Sequence, residues 1–236
     1  MEVDQFTPIE LAIMAHARMR GMGGSIPDYV WPMMSSDVST TSYDCAAYGR
    51  RFNDVFPCEI GINSFEDWTD NFERIWGRRP QTLEIMGNHY FMETLGLSGV
   101  FVNWTPDYEP GIYVYDGSRL EVNGDIEQIA QFKFMLQTAL GHTSADGKVD
   151  LIVWKGEGGL NCLLPQIEAF AYWWDMFAGL LRPGGSAFIQ NPFYMEDGNT
   201  ATSAVGHLRS RLGSNGHVKY SRSNEFDRFN MRIDKF

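Results

Sequence analysis

Cysteine is scarce in this chain. Its 236 residues hold three, Cys45, Cys58 and Cys162, with no C-x-x-C pair and no Cys/His cluster at zinc spacing. That excludes a disulfide-stapled scaffold and a zinc-finger-like site, and it fits a reducing compartment. No metal site is expected. Positive charge is also in deficit, with a formal net charge of −11 and an isoelectric point near 4.8. Nonspecific nucleic-acid binding rests on phosphate neutralisation, so this balance argues against a bulk nucleic-acid binder. Long apolar runs are missing too. No segment nears the ~20 residues needed to cross a bilayer, and the acidic start "MEVDQFTPIE" is unlike a signal or transit peptide. The expectation is a soluble, cytoplasmic protein with no membrane partner. Finally, no G-x-G-x-x-G follows the first predicted strand, which counts against a nicotinamide oxidoreductase; "GMGG" at 21–24 follows a predicted helix instead.

What is present is enough to build a core. The hydrophobic fraction is 44%, with seven tryptophans, so the chain suits one good-sized domain, or one with an extension. The charge is unevenly spread: residues 201–224 carry Arg209, Arg211, Lys219 and Arg222 and no acid. A solvated hairpin surface is the favoured reading of that strip, and an anion contact is the alternative.

Helical spacing appears early. Residues 5–20 read as a helix capped at Thr7, and 21–45 as a Gly/Pro/Ser/Thr-rich loop. "SFEDWTDNFERIWG" (64–77) reads as a second helix, with Ser64 and Asp67 as a cap pair and Phe65, Trp68, Phe72 and Ile75 on one face. From residue 81 the pattern alternates. Strands are predicted in "TLEIMG", "GVFVNW", "RLEVNGD", "KVDLIVW" and "SAFIQ". Helices are predicted at "HYFMETLG", 125–140 and 165–181, with Pro106 and Pro110 breaking the chain after "GVFVNW". Two last strands, "HVKYSR" and "RFNMRID", have only a short link between them and must be antiparallel.

Alternation of this kind predicts an α/β fold: a Rossmann-like, mostly parallel sheet with a C-terminal antiparallel hairpin, the architecture of class I S-adenosylmethionine (SAM) methyltransferases. It would occupy 81–236, behind a mainly helical N-terminal extension at 1–80. Ligands of such sheets bind beyond the carboxyl ends of the strands, at the switch in strand order.

The ordered pieces "VNGDIEQ", "LQTALG", "KVDLIVWKGEGG", "LLRPGGSAFIQNPF" and "SRSNE" resemble the FtsJ-like ribose 2′-O-methyltransferases over about residues 81–236. The resemblance implies SAM as cofactor and an oxygen nucleophile on a small molecule or an RNA end. The family's Lys-Asp-Lys-Glu set would fall near Gly49 (with Arg50 the nearest cation), at Lys155, at Gln190 and at Glu225. One of the four is kept. Lys155 reverses the expected charge and Gln190 cannot act as a cation; a buried Lys155 with a lowered pKa is one role left to it, a surface lysine the other.

The resemblance also implies the cofactor residues. Glu84 keeps the acid of the first strand. The glycine-rich turn is replaced by Met86, Gly87, Asn88, His89 and Tyr90, followed by Phe91. Those rings either line a remodelled pocket or fill it. Asn103 stands where an acid would take the ribose hydroxyls, with Asp107 and Glu109 nearby, and Trp104 either stacks on adenine or joins the core. Asp125 is the cleanest match, for the adenine amino group with the Ile126 N–H beside it, and it also suits the cap of the following helix. Trp154 completes the set at the end of the fourth parallel strand. Two functions follow: SAM-dependent O-methyl transfer, or a catalytically degenerate descendant kept as a binding or scaffold module. The oligomeric state is left open.

Overall fold

The computed structural model describes residues 61–85, 90–103, 109–124, 129–154, 175–190, 198–223 and 228–236. The predicted helix at 5–20 and the loop at 21–45 lie outside them.

The first described helix, α1 (Phe65–Trp76), starts where its cap chemistry dictates. Ser64 Oγ accepts from the Asp67 N–H at 3.0 Å, and Gly77, at φ 68°, closes the last turn by donating to the Glu73 carbonyl. Phe65 and Phe72 are buried and Trp68 is half-buried, as the spacing predicts. Ile75 departs from it, at 60% exposed. Trp76 takes over the last turn, stacking on Phe72 and lying so close to Gly184 that a Cβ there would come within 2.3 Å of the ring.

Eight strands form one sheet. They are β1 (Gln81–Ile85), β2 (Ser98–Asn103), β3 (Gly111–Val114), β4 (Arg119–Asn123), β5 (Val149–Trp154), β6 (Leu181–Gln190), β7 (Gly216–Ser223) and β8 (Arg228–Lys235). Their spatial order is β3-β4-β2-β1-β5-β6-β8-β7. The run from β4 to β6 is parallel. β8 is antiparallel to both neighbours and lies between β6 and β7, so the predicted hairpin is there and inserts its second arm first. Successive strands step outward from β1 to β2 and β4, and then from β5 to β6 on the other side. The switch in order therefore falls between β1 and β5.

Helices cover both faces. α1 and the short α2 (Tyr90–Thr94) lie on one, where Ile62, Phe65, Phe91, Met92, Phe101, Leu151, Val153 and Phe188 are buried together. Phe65 meets Phe91 and Phe188 edge-on at 5.0 and 4.8 Å; burying such a ring stabilises by about 1.5–3 kcal/mol. The other face packs on α3 (Ile129–Thr143), on helical residues 175–180 and on α4 (Gly198–Leu212). Phe132, Leu136, Ala139 and Phe177 are buried there, with Val205 and Leu208 of α4. The near-continuous apolar strands β2 and β5 fit burial on both faces.

Two stretches differ from the sequence reading. Residues 198–212, which overlap the 201–224 stretch read as a basic hairpin surface, form α4, so Arg209 and Arg211 are on a helix and Lys219 on β7. Helix formation here buries Val205 and Leu208, an apolar pair too sparse to show as a period among Gly, Ser and Thr. Gly111–Val114, read as broken chain, is the edge strand β3, antiparallel to β4. Pro110 precedes it, where no ladder N–H is needed.

Candidate functional site

The two ends of the parallel strands are built differently. At the amino end, Asp150 of β5 is 2% exposed and held by two arginines. Arg78 donates to both its oxygens at 2.5 and 2.9 Å, Arg182 donates at 3.0 Å, and the Gln81 N–H adds a bond of 2.8 Å. Burial alone would raise the Asp150 pKa, but these donors together outweigh it and hold the carboxyl below its ordinary range. Arg182 also binds Asp146 and Ser144. It reaches them because "LRPGG" is a bulge: Val149 pairs with Leu181 but Leu151 pairs with Ser186, so four residues of β6 stand opposite one of β5. Gly184 takes φ 85° there, and a Cβ on Gly185 would strike the Asp150 carbonyl at 2.7 Å. This end is a structural clamp around Asp150.

Some of the residues named from the sequence lie at the carboxyl rim. On β1, Glu84 is fully buried, and its two oxygens accept the N–H groups of Phe91 and Met92 at 3.2 and 3.0 Å. It ties the start of α2 to the strand. Phe91 is core. Tyr90 opens α2. On β2, Asn103 is 9% exposed and donates from Nδ2 to Glu121 Oε1 of β4 at 3.2 Å. The next rung pairs Asn103 with Asn123, whose Nδ2 donates to the Glu109 carbonyl. Glu109 itself is exposed. Trp154, at 3% exposed, has its ring in the core on the α3 face, edge-on to Phe177; only its backbone reaches the rim. At the far side of the rim, Gln190 pairs with Asn230 and Asn230 with Ser221. Asn230 is 1% exposed and its Oδ1 has no hydrogen-bond partner.

Met86, Gly87, Asn88, His89, Trp104, Asp107, Asp125, Ile126, Lys155 and Glu225 lie outside the described residues, as do Gly49 and Arg50. Among the residues that are described, the structure brings Asn103 to the rim together with Glu121, and it sets Glu84 as an anchor between β1 and the start of α2. Glu121 was missed from sequence: a single acid inside a half-buried strand looks like any solvent-facing position. Among the described residues there is no group of three or more His, Cys, Asp or Glu that could hold a metal ion, and no helix is long and apolar enough to cross a membrane.

No family model matches the chain, and no curated protein does. Solved structures do resemble it. A plantazolicin methyltransferase, BpumL, in complex with a triazolic desmethylPZN analog and SAH, is 9% identical over 96% of this chain and 96% of that one, with a TM-score of 0.49. Human methyltransferase-like protein 13 in complex with SAH is 11% identical over 66% of this chain and 72% of its own, with a TM-score of 0.45. A methyltransferase from Pyrococcus furiosus is 11% identical over 86% and 96%, with a TM-score of 0.37. At such scores none of these likenesses bears weight; the strand order stands without them.

Proposed function

We propose that this chain is a SAM-dependent methyltransferase. The observation that carries the reading is the sheet itself: a parallel run with its switch point between β1 and β5, ended by an antiparallel strand slotted between β6 and β7. The rim residues fit the cofactor. Glu84 anchors the start of α2 to β1, beside which the methionine part would pass, and Asn103 with Glu121 offers oxygen acceptors at the β2–β4 rim, where hydroxyl groups of a nucleoside need them. Asp125 and Ile126 would take the adenine edge, and Met86, Gly87, Asn88, His89, Tyr90 and Trp104 would border the pocket.

When bound, SAM supplies a methyl group activated by a sulfonium. The protein's part is alignment of the nucleophile with that methyl and removal of the nucleophile's proton. In the finer, FtsJ-like form of the reading, the acceptor is a hydroxyl on a small molecule or an RNA end. Lys155, neutral when desolvated, or Glu225 would receive the proton, and Gln190 would hold the acceptor by a hydrogen bond. The net charge of −11 favours a small acceptor over a long phosphate backbone.

A binding or scaffold module of the same fold is the second reading. It is favoured by one observation: Gln190 closes β6 where the resemblance expects a lysine. Titration calorimetry with SAM and S-adenosylhomocysteine tests the two. Micromolar binding, weakened at least tenfold by Asp125→Ala, is the expected result. A well-folded protein that binds neither compound overturns the methyltransferase reading and leaves the module.

A further inference from the structure

In the acid-free strip at 201–224, Arg209 donates to the Val218 carbonyl and Arg211 to Asp175. Lys219 is different. It is half-buried, yet among the described residues it makes no hydrogen bond and no ion pair. Its neighbour across the ladder is another cation: Lys219 of β7 directly opposes Arg232 of β8, which directly opposes Phe188 of β6. Directly opposed residues project to one face of a sheet, so both cations lie with Phe188 on the face covered by α1 and α2. Like charges in that arrangement are destabilising unless something offsets them. Arg232 is offset and held in place. Its Nε donates to Asp234 Oδ1 at 2.7 Å, its Nη1 donates to the Gly61 carbonyl at 2.7 Å, and its guanidinium carbon lies 5.2 Å from the centre of the Phe188 ring. Asp234 is in turn shared with Ser186, whose Oγ donates to the same oxygen at 2.6 Å. That leaves the Lys219 charge uncompensated.

Gly61 completes the arrangement. It is exposed, and its φ of 84° is one that side-chain-bearing residues rarely adopt. A Cβ there would lie 3.0 Å from Lys219 Nζ and 3.1 Å from Arg232 Nη1. Its own chain neighbours apart, no other described residue comes within 4 Å of that point. Two cationic nitrogens therefore converge on the side of Gly61 that the missing side chain leaves open.

We propose that Lys219 and Arg232, beside Gly61, form a slot for one small oxyanion, a carboxylate or a phosphate, carried by the methyl acceptor. This rests on the methyltransferase reading and gives the acceptor's class: a small molecule with an anionic group away from the atom that is methylated. Hydrogen bonds between ionised partners are about twice as strong as neutral ones, and an anion here also relieves the Lys219–Arg232 repulsion. The position suits the far end of an acceptor. Gln190 ends β6 at the rim two residues beyond Phe188, so the slot lies about 7 Å back along the strands and about 5–10 Å across the sheet from it. It is on the side of β6 away from the β1–β5 switch point, and so outside the cofactor cleft.

The test is calorimetry at low ionic strength with inorganic phosphate, acetate and S-adenosylhomocysteine on the wild-type chain, Lys219→Met, Lys219→Arg and Lys219→Glu, with thermal melts to confirm folding. The wild type should bind phosphate with a dissociation constant of about 1 mM. Lys219→Met, which keeps the apolar stem and loses the charge, should weaken that binding about tenfold, and Lys219→Arg should keep it within about threefold. Lys219→Glu supplies its own carboxylate to Arg232 and should abolish it. Affinity for S-adenosylhomocysteine should be the same in every variant and in saturating phosphate. Phosphate held about tenfold more tightly than acetate marks a phosphorylated acceptor, and similar affinities mark a carboxylic acid. The slot is wrong, while S-adenosylhomocysteine binding keeps the methyltransferase reading, if the wild type binds neither anion, if the folded Lys219→Met and Lys219→Glu variants bind phosphate as the wild type does, or if phosphate competes with S-adenosylhomocysteine. If phosphate binding depends on Lys219 but the folded wild type binds no S-adenosylhomocysteine, the methyltransferase reading falls and the assignment of the anion to a methyl acceptor falls with it.

Discussion

The amino and carboxyl ends of the same parallel strands solve opposite problems. At the amino end of β5 the buried carboxylate is fully engaged. Asp150 takes four donors from three residues, and Arg182 bridges it to Asp146 and Ser144. At the carboxyl rim polar groups are left with capacity. Glu121 has one neutral donor, and Asn230 Oδ1 is buried with none. A buried carbonyl without a partner is costly, and a fold keeps such groups chiefly where something else uses them. The contrast is between the buried, fully bonded carboxylate of Asp150 and the more loosely engaged groups at the rim, although Arg119 Nη1, at the amino end of β4, is also buried without a partner among the described residues.

The largest effect should come from breaking the stiff end. Asp150→Ala removes the buried carboxylate and leaves two arginines facing each other. It should cost about 3 kcal/mol in urea unfolding, the low end of the range for a broken buried pair because Arg78 is 45% exposed and can rehydrate. Affinity for S-adenosylhomocysteine per folded molecule should stay within twofold; a larger loss would mean that the two ends are coupled.

Acid should weaken the same end without mutation. Asp150 and Asp146 both have folded pKa values below their ordinary ones. For Asp150, burial opposes ionisation but the donors from Arg78, Gln81 and Arg182 prevail; for Asp146 the Arg182 hydrogen bonds lead. The unfolded chain therefore binds protons first. The stabilisation is fully present above the ordinary carboxylate pKa of about 3.9 and is lost as pH falls from there through the depressed folded values. Unfolding free energy should rise with pH across that acid window in the wild type, and the slope should be shallower in Asp150→Ala. Equal slopes would remove the cluster from the explanation.

The smallest effect belongs to the rim. Asn230→Leu replaces an unpartnered buried carbonyl by an apolar group of similar size, so stability should stay within about 1 kcal/mol of wild type or rise. A loss of several kcal/mol would show that Asn230 is as fully used as Asp150, and the contrast between the ends would fail.

Much of this architecture could be read from the residues. The helix at 64–77 has a cap, an apolar face and a glycine stop, all local chemistry, and the strands from β4 to β6 are dense enough in Val, Ile and Leu to announce burial. Where local signals thin out, the reading slipped. α4 is rich in Gly, Ser and Thr and is held by Val205 and Leu208 against the sheet, so its helicity comes from packing rather than propensity. β3 is four residues long and exists because β4 offers an edge. Ile75 satisfies the period but lies beyond the sheet it would pack on, and Trp76 takes its place.

The candidate site was legible to a smaller degree. Asn103 and Glu84 were named only through the resemblance, which places an acid at the end of each of those strands. Glu121 could not, nor could the grip of Arg78 and Arg182 on Asp150, 72 and 32 residues away along the chain.

The sequence by itself determined the strand and helix alternation and therefore the α/β class, since period and caps act over a few residues. Only the tertiary structure decided which charges meet. Carboxylates and guanidiniums act across space, through desolvation and hydrogen bonds that exist only once distant strands lie side by side.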